Sequence, residues 1–277
     1  MRNKSKWFWD SISHVYLILL TVISVFPLVW IILSSVKERG ELTGNPTKFW
    51  PSTFTLDYYK HVITELGFMN NIKNSIIISL VTTLIAITIA SLAAYGICRF
   101  FPKVGTLMSK LIVVSYVFPP ILLAIPYSIV MAKIGLTNTG TGLILVYLSF
   151  SVPYAVWLLV GFFKAIPIGI EEAAQVDGAS KFTVFTKIAL PLAAPGIVAT
   201  AIYTFINAWN EFLYALILIN NTEKMTVAVA LRSLNGAEIL DWGDMMAASV
   251  LVVVPSIVFF CFIQKKIAGG LYDGAEK

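Results

Sequence analysis

Residues 165–195 read Ala-Ile-Pro-Ile-Gly-Ile-Glu-Glu-Ala-Ala-Gln-Val-Asp-Gly-Ala-Ser-Lys-Phe-Thr-Val-Phe-Thr-Lys-Ile-Ala-Leu-Pro-Leu-Ala-Ala-Pro. Local rules divide this stretch into two short helices. Pro167 suits a first helical position, where its missing N–H needs no partner. Glu171 and Glu172 fall in the first turn, where the helix dipole favours carboxylates. Ala173 and Ala174 are strong helix formers with little bulk. Gly178 can take the left-handed conformation that ends a helix, and Ser180 suits the N-cap of a second one. Pro191 and Pro195 bound the approach to the next apolar run. Glu172, Ala173 and Val176 share a face at helical spacing. That face is small-residued with one carboxylate, suited to a groove on another protein. The same composition also fits an amphipathic hairpin resting on a membrane surface.

On either side the chain is apolar. Hydrophobic residues make up 58% of its 277 residues and charged ones only 13%, about half the charged share of a soluble domain. With a mean hydropathy of +0.83, the excess apolar surface calls for a bilayer. A spanning helix needs about 20 mostly apolar residues. By that measure the chain is an all-α membrane protein with about six spans, near 14–36, 71–97, 109–131, 141–163, 195–219 and 245–265. Pro119 and Pro120 predict a kink in the third. Residues 1–13 read as an N-terminal segment, 14–265 as the membrane domain and 266–277 as a tail. The first apolar run lacks a small-x-small cleavage site and reads as an uncleaved span.

Lysine and arginine in short loops set orientation. Arg2, Lys4 and Lys6, then Arg99, Lys103 and Lys110, then Lys164, Lys181 and Lys187, then Lys265, Lys266 and Lys277 fall on one side if the spans alternate. The other side carries Lys133, Lys224 and Arg232, plus a longer segment in which Lys37, Arg39, Lys48 and Lys60 mix with Glu38, Glu41, Asp57 and Glu65. Both termini and the 165–191 loop are therefore predicted cytoplasmic, and 37–70 and 220–244 are predicted outer loops. Within the first outer loop, Tyr58 and Tyr59 are candidate interfacial anchors on a short helix.

Glu172-Ala173-Ala174, three residues, Gly178, nine residues, Ile188, one residue, Leu190-Pro191 resembles the signature of permease subunits of binding-protein-dependent ATP-binding-cassette importers. Every fixed position is matched. Asn74-Ser75, Ala94-Tyr95 with Arg99-Phe100, Ile125-Pro126, Gly135-Leu136, Asn138-Thr139 and Trp209-Asn210-Glu211-Phe212 resemble the carbohydrate-uptake branch, of the maltose permease G type. The resemblance implies a heterodimeric pore with a second permease in the bacterial cytoplasmic membrane. It also implies two cytoplasmic ATPase subunits, which bind ATP and Mg, and an extracellular solute-binding protein. The expected coupling residues are Glu171, Glu172, Ala173, Ala174, Val176, Asp177, Gly178, Ile188, Leu190 and Pro191. Ser233, Leu234, Asn235 and Gly236 are the expected tip that probes the binding protein. The tail from Gly269 resembles one that reaches into the ATPase dimer, with Tyr272-Asp273 where a Thr-x pair is common.

Polar groups inside a span are functional candidates. Asn207, Trp209, Asn210 and Glu211 suit a sugar, with a ring face to stack on and hydroxyls to bond. Amides also join packed helices, which is the competing structural role. The sequence holds no Gly-x-x-x-x-Gly-Lys-Ser/Thr phosphate loop, so no cofactor is expected in this chain and ATP belongs to a partner. His14, His61, Cys98 and Cys261 lack metal-ligand spacing, and no nucleophile elbow occurs, so an independent enzyme is not expected. Two alternatives remain at this point. One is an importer of glycerol phosphate or an acidic sugar. The other is a proton-coupled transporter, which needs paired buried carboxylates or histidines where only Glu211 qualifies.

Overall fold

The computed structural model describes residues 4–101, 105, 107, 108, 111, 112, 114, 119–234 and 241–275, with side chains from 9 to 261 among them. The described residues are helices joined by turns, as the apolar runs predict. Five of the described helices are long and apolar enough to cross a membrane: Trp9–Ser35, Phe68–Arg99, Gly140–Ala165, Lys181–Asn210 and Trp242–Cys261. Internal contacts divide the chain into two units, residues 1–68 with 231–254 and residues 69–230 with 255–277.

In the first unit, α1 (Lys4–Ser35) is apolar almost all round, and only 6% of its spanning window is buried. Its end is tied down by Lys37, which is fully buried. The Lys37 ammonium donates to the Lys48 carbonyl and lies 5.3 Å from the Trp30 ring centre. After α2 (Glu41–Gly44), the Glu41 carboxylate accepts from the Ser52 amide at 2.9 Å and the Ser52 hydroxyl at 2.8 Å. The expected short helix forms as α3 (Asp57–Lys60), continued by a π turn. Tyr58 is not an interfacial anchor. It is 1% exposed, and its ring lies so close to Gly243 that an added Cβ there would stand 2.0 Å from it. Tyr59 shares a 2.7 Å hydrogen bond with the Ser35 hydroxyl. His61 meets the Asp244 carboxylate at 2.8 Å, which holds the π turn to the start of the last helix.

In the second unit, α4 (Phe68–Arg99) presents Ala86, Ala90 and Ala94 at four-residue spacing, each fully buried. Small side chains let helices approach closely where lipid supplies no hydrophobic drive. The third run is described only in part. Its first half lies mostly outside the described residues, and α5 runs only over Pro120–Lys133. Pro119 is extended, because a residue before proline is pushed out of the helical region. The proline pair thus stands at the start of a described helix, and residues 115–118, against which the expected kink falls, lie outside the described residues. α6 (Gly140–Ala165) follows a turn capped by Thr139, whose hydroxyl accepts from the Gly142 amide. Asn138, at φ 58, is left-handed. Its amide oxygen accepts from the Asn220 and Asn221 amides at 3.1 and 3.2 Å, and its own N–H donates to Leu218 at 2.9 Å.

The signature loop contributes two short helices, α7 (Ile168–Val176) and α8 (Lys181–Val184). Past it, α9 covers Leu190–Asn210. The fifth run is therefore not one helix. Glu211 leaves the helical conformation, and its carboxylate accepts from the amides of Tyr214 at 2.8 Å and Ala215 at 3.1 Å. It opens α10 (Leu213–Leu218) by satisfying amides that have no partner within the helix. α11 (Val227–Leu234) starts on the Ser75 hydroxyl, which accepts the Val227 N–H at 2.7 Å. Asn71 and Asn74 hold the preceding turn through the Thr222, Glu223 and Met225 carbonyls. α12 is Trp242–Ala275 and contributes to both units.

Candidate coupling site

The signature loop folds as its local rules predict. Pro167 stands one position earlier than expected, at the N-cap of α7. Gly178 has φ +89 and no atom within 4 Å of an added Cβ, so the backbone angle and not crowding selects glycine. Ser180 caps α8 by accepting the Thr183 N–H at 3.2 Å. A π turn over Phe185–Ala189 leads without a break into α9. Its position just before Pro191 fits a residue that has no N–H to return to the preceding turn.

The loop has an outward and an inward set of side chains. Val176 is 87% and Phe182 73% exposed, with Ile168 and Ile170 also exposed. Glu172, Ala173, Asp177 and Pro191 are exposed, while Ala174, Ile188 and Leu190 are half-buried. Glu171 departs from the expected surface role, being 3% exposed. Its carboxylate accepts from the Tyr95 hydroxyl at 2.8 Å and from Arg99 Nε at 2.8 Å, with Arg99 Nη2 at 2.7 Å. Arg99 Nη2 also donates to the Phe163 and Ile166 carbonyls at 3.1 and 3.0 Å. Around this pair, Ala90, Ala94, Leu159, Phe163, Phe185 and Ala189 form a buried cluster. Burying a carboxylate and a guanidinium together costs far less than burying either one alone. The sequence signal for this arrangement is a lone arginine ending an apolar run and a second acid beside Glu172.

The four polar candidates of the fifth run separate. Asn207 and Asn210 are exposed one turn apart, each amide donating to the carbonyl four residues back at 2.9 Å. Trp209 is 2% exposed and packs on Phe205, so it offers no face to a passing sugar. Glu211 is the cap described above. Beside Asn207 the rings of Tyr154 and Tyr203 stack at 4.0 Å. The cavity they border with Phe150, Ser151 and Thr204 holds about 30 Å³, far below the roughly 300 Å³ of small ligand sites. Ser233 is exposed and Leu234 half-buried at the end of α11. Asn235 and Gly236 lie outside the described residues, as do Arg2, Lys103, Lys110 and Lys277.

Residues 86–269 match the family described as binding-protein-dependent transport system inner membrane component. The trehalose transport permease SugB of Mycobacterium tuberculosis is 37% identical over 92% of this chain and 93% of its own length. The trehalose/maltose permease MalG of Thermococcus litoralis is 36% identical, covering 94% of each. In fold, a chain of a bacterial ABC transporter that imports the acidic polysaccharide alginate superposes with a TM-score of 0.77 at 20% identity, over 96% of this chain and 98% of that one. A family match across two-thirds of the sequence, with the signature loop built as a helix, a glycine turn and a second helix, places this chain among the multi-pass inner-membrane components of binding-protein-dependent transport systems.

Proposed function

We propose that this chain is one of two permease subunits of an ATP-driven carbohydrate importer, working by alternating access. The loop over 165–191 is its docking surface for a cytoplasmic ATPase that binds ATP and Mg. The observation that carries this reading is a set of exposed apolar side chains, Val176 and Phe182 foremost, on a loop otherwise anchored in the core. Exposed apolar patches on a rigid support mark partner sites. Six spans follow from the apolar runs, and the cytoplasmic placing of both termini and this loop follows from the lysine and arginine bias. The outer loops, with α11 and Ser233, Leu234, Asn235 and Gly236, then face an extracellular solute-binding protein.

Carbohydrate is the substrate favoured by the sugars named for the relatives. It is also favoured by the neutral polar face of Asn207 and Asn210. Lys164 is the only charged residue in α6 or α9, which disfavours an anionic solute. The cavity beside Asn207 is too small for a sugar ring, so the path is completed by a second permease. The test is co-purification of the ATPase with full-length wild type, Val176→Glu and Phe182→Glu. Recovery of ATPase with wild type and loss with both variants is expected. Absence of ATPase from the wild-type preparation, or full recovery with both variants, sinks the reading. Gly178→Pro, which cannot adopt φ +89, is expected to abolish uptake.

A further inference from the structure

One guanidinium joins three elements. Arg99 is the last residue of α4, and it bonds the Glu171 carboxylate on α7 and the Phe163 and Ile166 carbonyls at the end of α6. Tyr95, one turn earlier on α4, donates to the other Glu171 oxygen at 2.8 Å. Glu171 is 3% exposed, and the Arg99 side chain is 9% exposed. Separating them would leave a carboxylate and a guanidinium unpaired away from water. Gly178, whose left-handed turn has open space around it, marks the end of that anchorage. Beyond it the loop meets α4 by apolar packing, with Phe185 4.9 Å from Tyr95 and, like Ala189, in the buried cluster with Ala90 and Ala94, while Lys181 lies 5.3 Å from Phe100 just past the end of α4. Such contacts are not directional in the way a charge-assisted hydrogen bond is. The backbone of Lys181–Ala189, by contrast, runs straight into α9.

We propose that Arg99, Glu171 and Tyr95 form a latch that divides the coupling loop into two mechanical halves. Residues 168–176 move with the ends of α4 and α6 through the latch. Residues 181–189 move with α9 through the backbone. A displacement applied at the docking face therefore reaches the second span, which does not adjoin the loop in sequence. Arg99 and Glu171 are positioning residues in this scheme, and it rests on the coupling role proposed above.

The test uses the full complex with its ATPase, with Cys98→Ser and Cys261→Ser as background. A reporter cysteine is placed on α4 by Ile77→Cys, beside an open outer cavity of about 370 Å³, or on α9 by Asn210→Cys. Maleimide labelling rates are compared with and without ATP plus vanadate, in otherwise wild-type protein and with Glu171→Gln, Arg99→Lys or Tyr95→Phe. Lysine keeps the charge but not the planar group that bonds the Glu171 carboxylate and the Phe163 and Ile166 carbonyls together. The nucleotide response at 77 is expected to fall about tenfold with Glu171→Gln and Arg99→Lys and about threefold with Tyr95→Phe, since charge-assisted bonds outweigh neutral ones. The response at 210 is expected to persist in all three. Equal responses at both positions in the variants overturn the latch. Loss at both positions, including in Tyr95→Phe, also overturns it, because the residues then serve folding or docking in general. No response at either position in the otherwise wild-type protein overturns the coupling role itself.

Discussion

Phe162 on α6 and Gly196 on α9 meet so closely that a methyl group on Gly196 would stand 2.1 Å from the Phe162 ring carbon Cγ. The contact fixes the spacing of the fourth and fifth spans where they pack. Gly196→Ala must push the ring aside and is expected to destabilise the protein by about 1–3 kcal/mol, the usual range for overpacking. Thermal unfolding in detergent measures it. Phe162→Leu combined with Gly196→Ala should recover much of the loss, whereas independent effects of the two changes would contradict a direct clash.

Gly178 sits at φ +89 in open space. Gly178→Val is expected to cost about 1–2 kcal/mol in backbone strain and to reduce uptake sharply. Gly178→Asn should retain most activity, because asparagine tolerates the left-handed region. Similar uptake in the two variants would show that this angle does not matter to coupling.

Glu211 satisfies the Tyr214 and Ala215 amides at the start of α10. Glu211→Ala leaves both amides unpaired and is expected to cost about 0.5–2 kcal/mol, the range for lost caps. Asn207→Ala and Asn210→Ala, whose side chains bond only their own helix among the described residues, should leave thermal stability close to wild type while lowering sugar uptake. If Glu211→Ala unfolds at the wild-type temperature, its role lies elsewhere.

The Glu41 carboxylate is held below the usual range, first by the Ser52 hydroxyl and amide and then by Lys48, at 3.3 Å. A carboxylate with a lowered folded-state value adds stability above its unfolded value, and that stability is lost as pH falls through the folded one. Residues 37–56 should therefore become more susceptible to protease on acidification below the ordinary glutamate range. Ser52→Ala should flatten that dependence. An unchanged acid profile in Ser52→Ala would remove Glu41 as its cause.

The signature loop is legible in sequence because its determinants are local. Gly178 followed by Ser180 marks a helix end and a helix start within three residues. The inward turn of Glu171 is not legible, because it depends on Tyr95, Arg99, Phe163 and Ile166, which only the packed helices bring together. The fifth run reads as one apolar stretch because Glu211 acts on amides three and four residues ahead, which hydropathy does not register. Trp209 suits a sugar by residue type, but helical phase turns it inward while Asn207 and Asn210 face out. Asn138-Thr139, notable in sequence only for its resemblance, is a turn and a helix cap.

Asn138 also sets how far its own position can vary. The site requires a residue that accepts φ 58 and carries an oxygen able to take two amide protons, from Asn220 and Asn221. Glycine meets the first demand and not the second, glutamine the second and not the first, and aspartate meets both with an added charge. In a saturation library selected for uptake, position 138 should therefore collapse to asparagine with aspartate as the sole frequent survivor, while Lys133 and Thr141, a few residues to either side, accept many replacements.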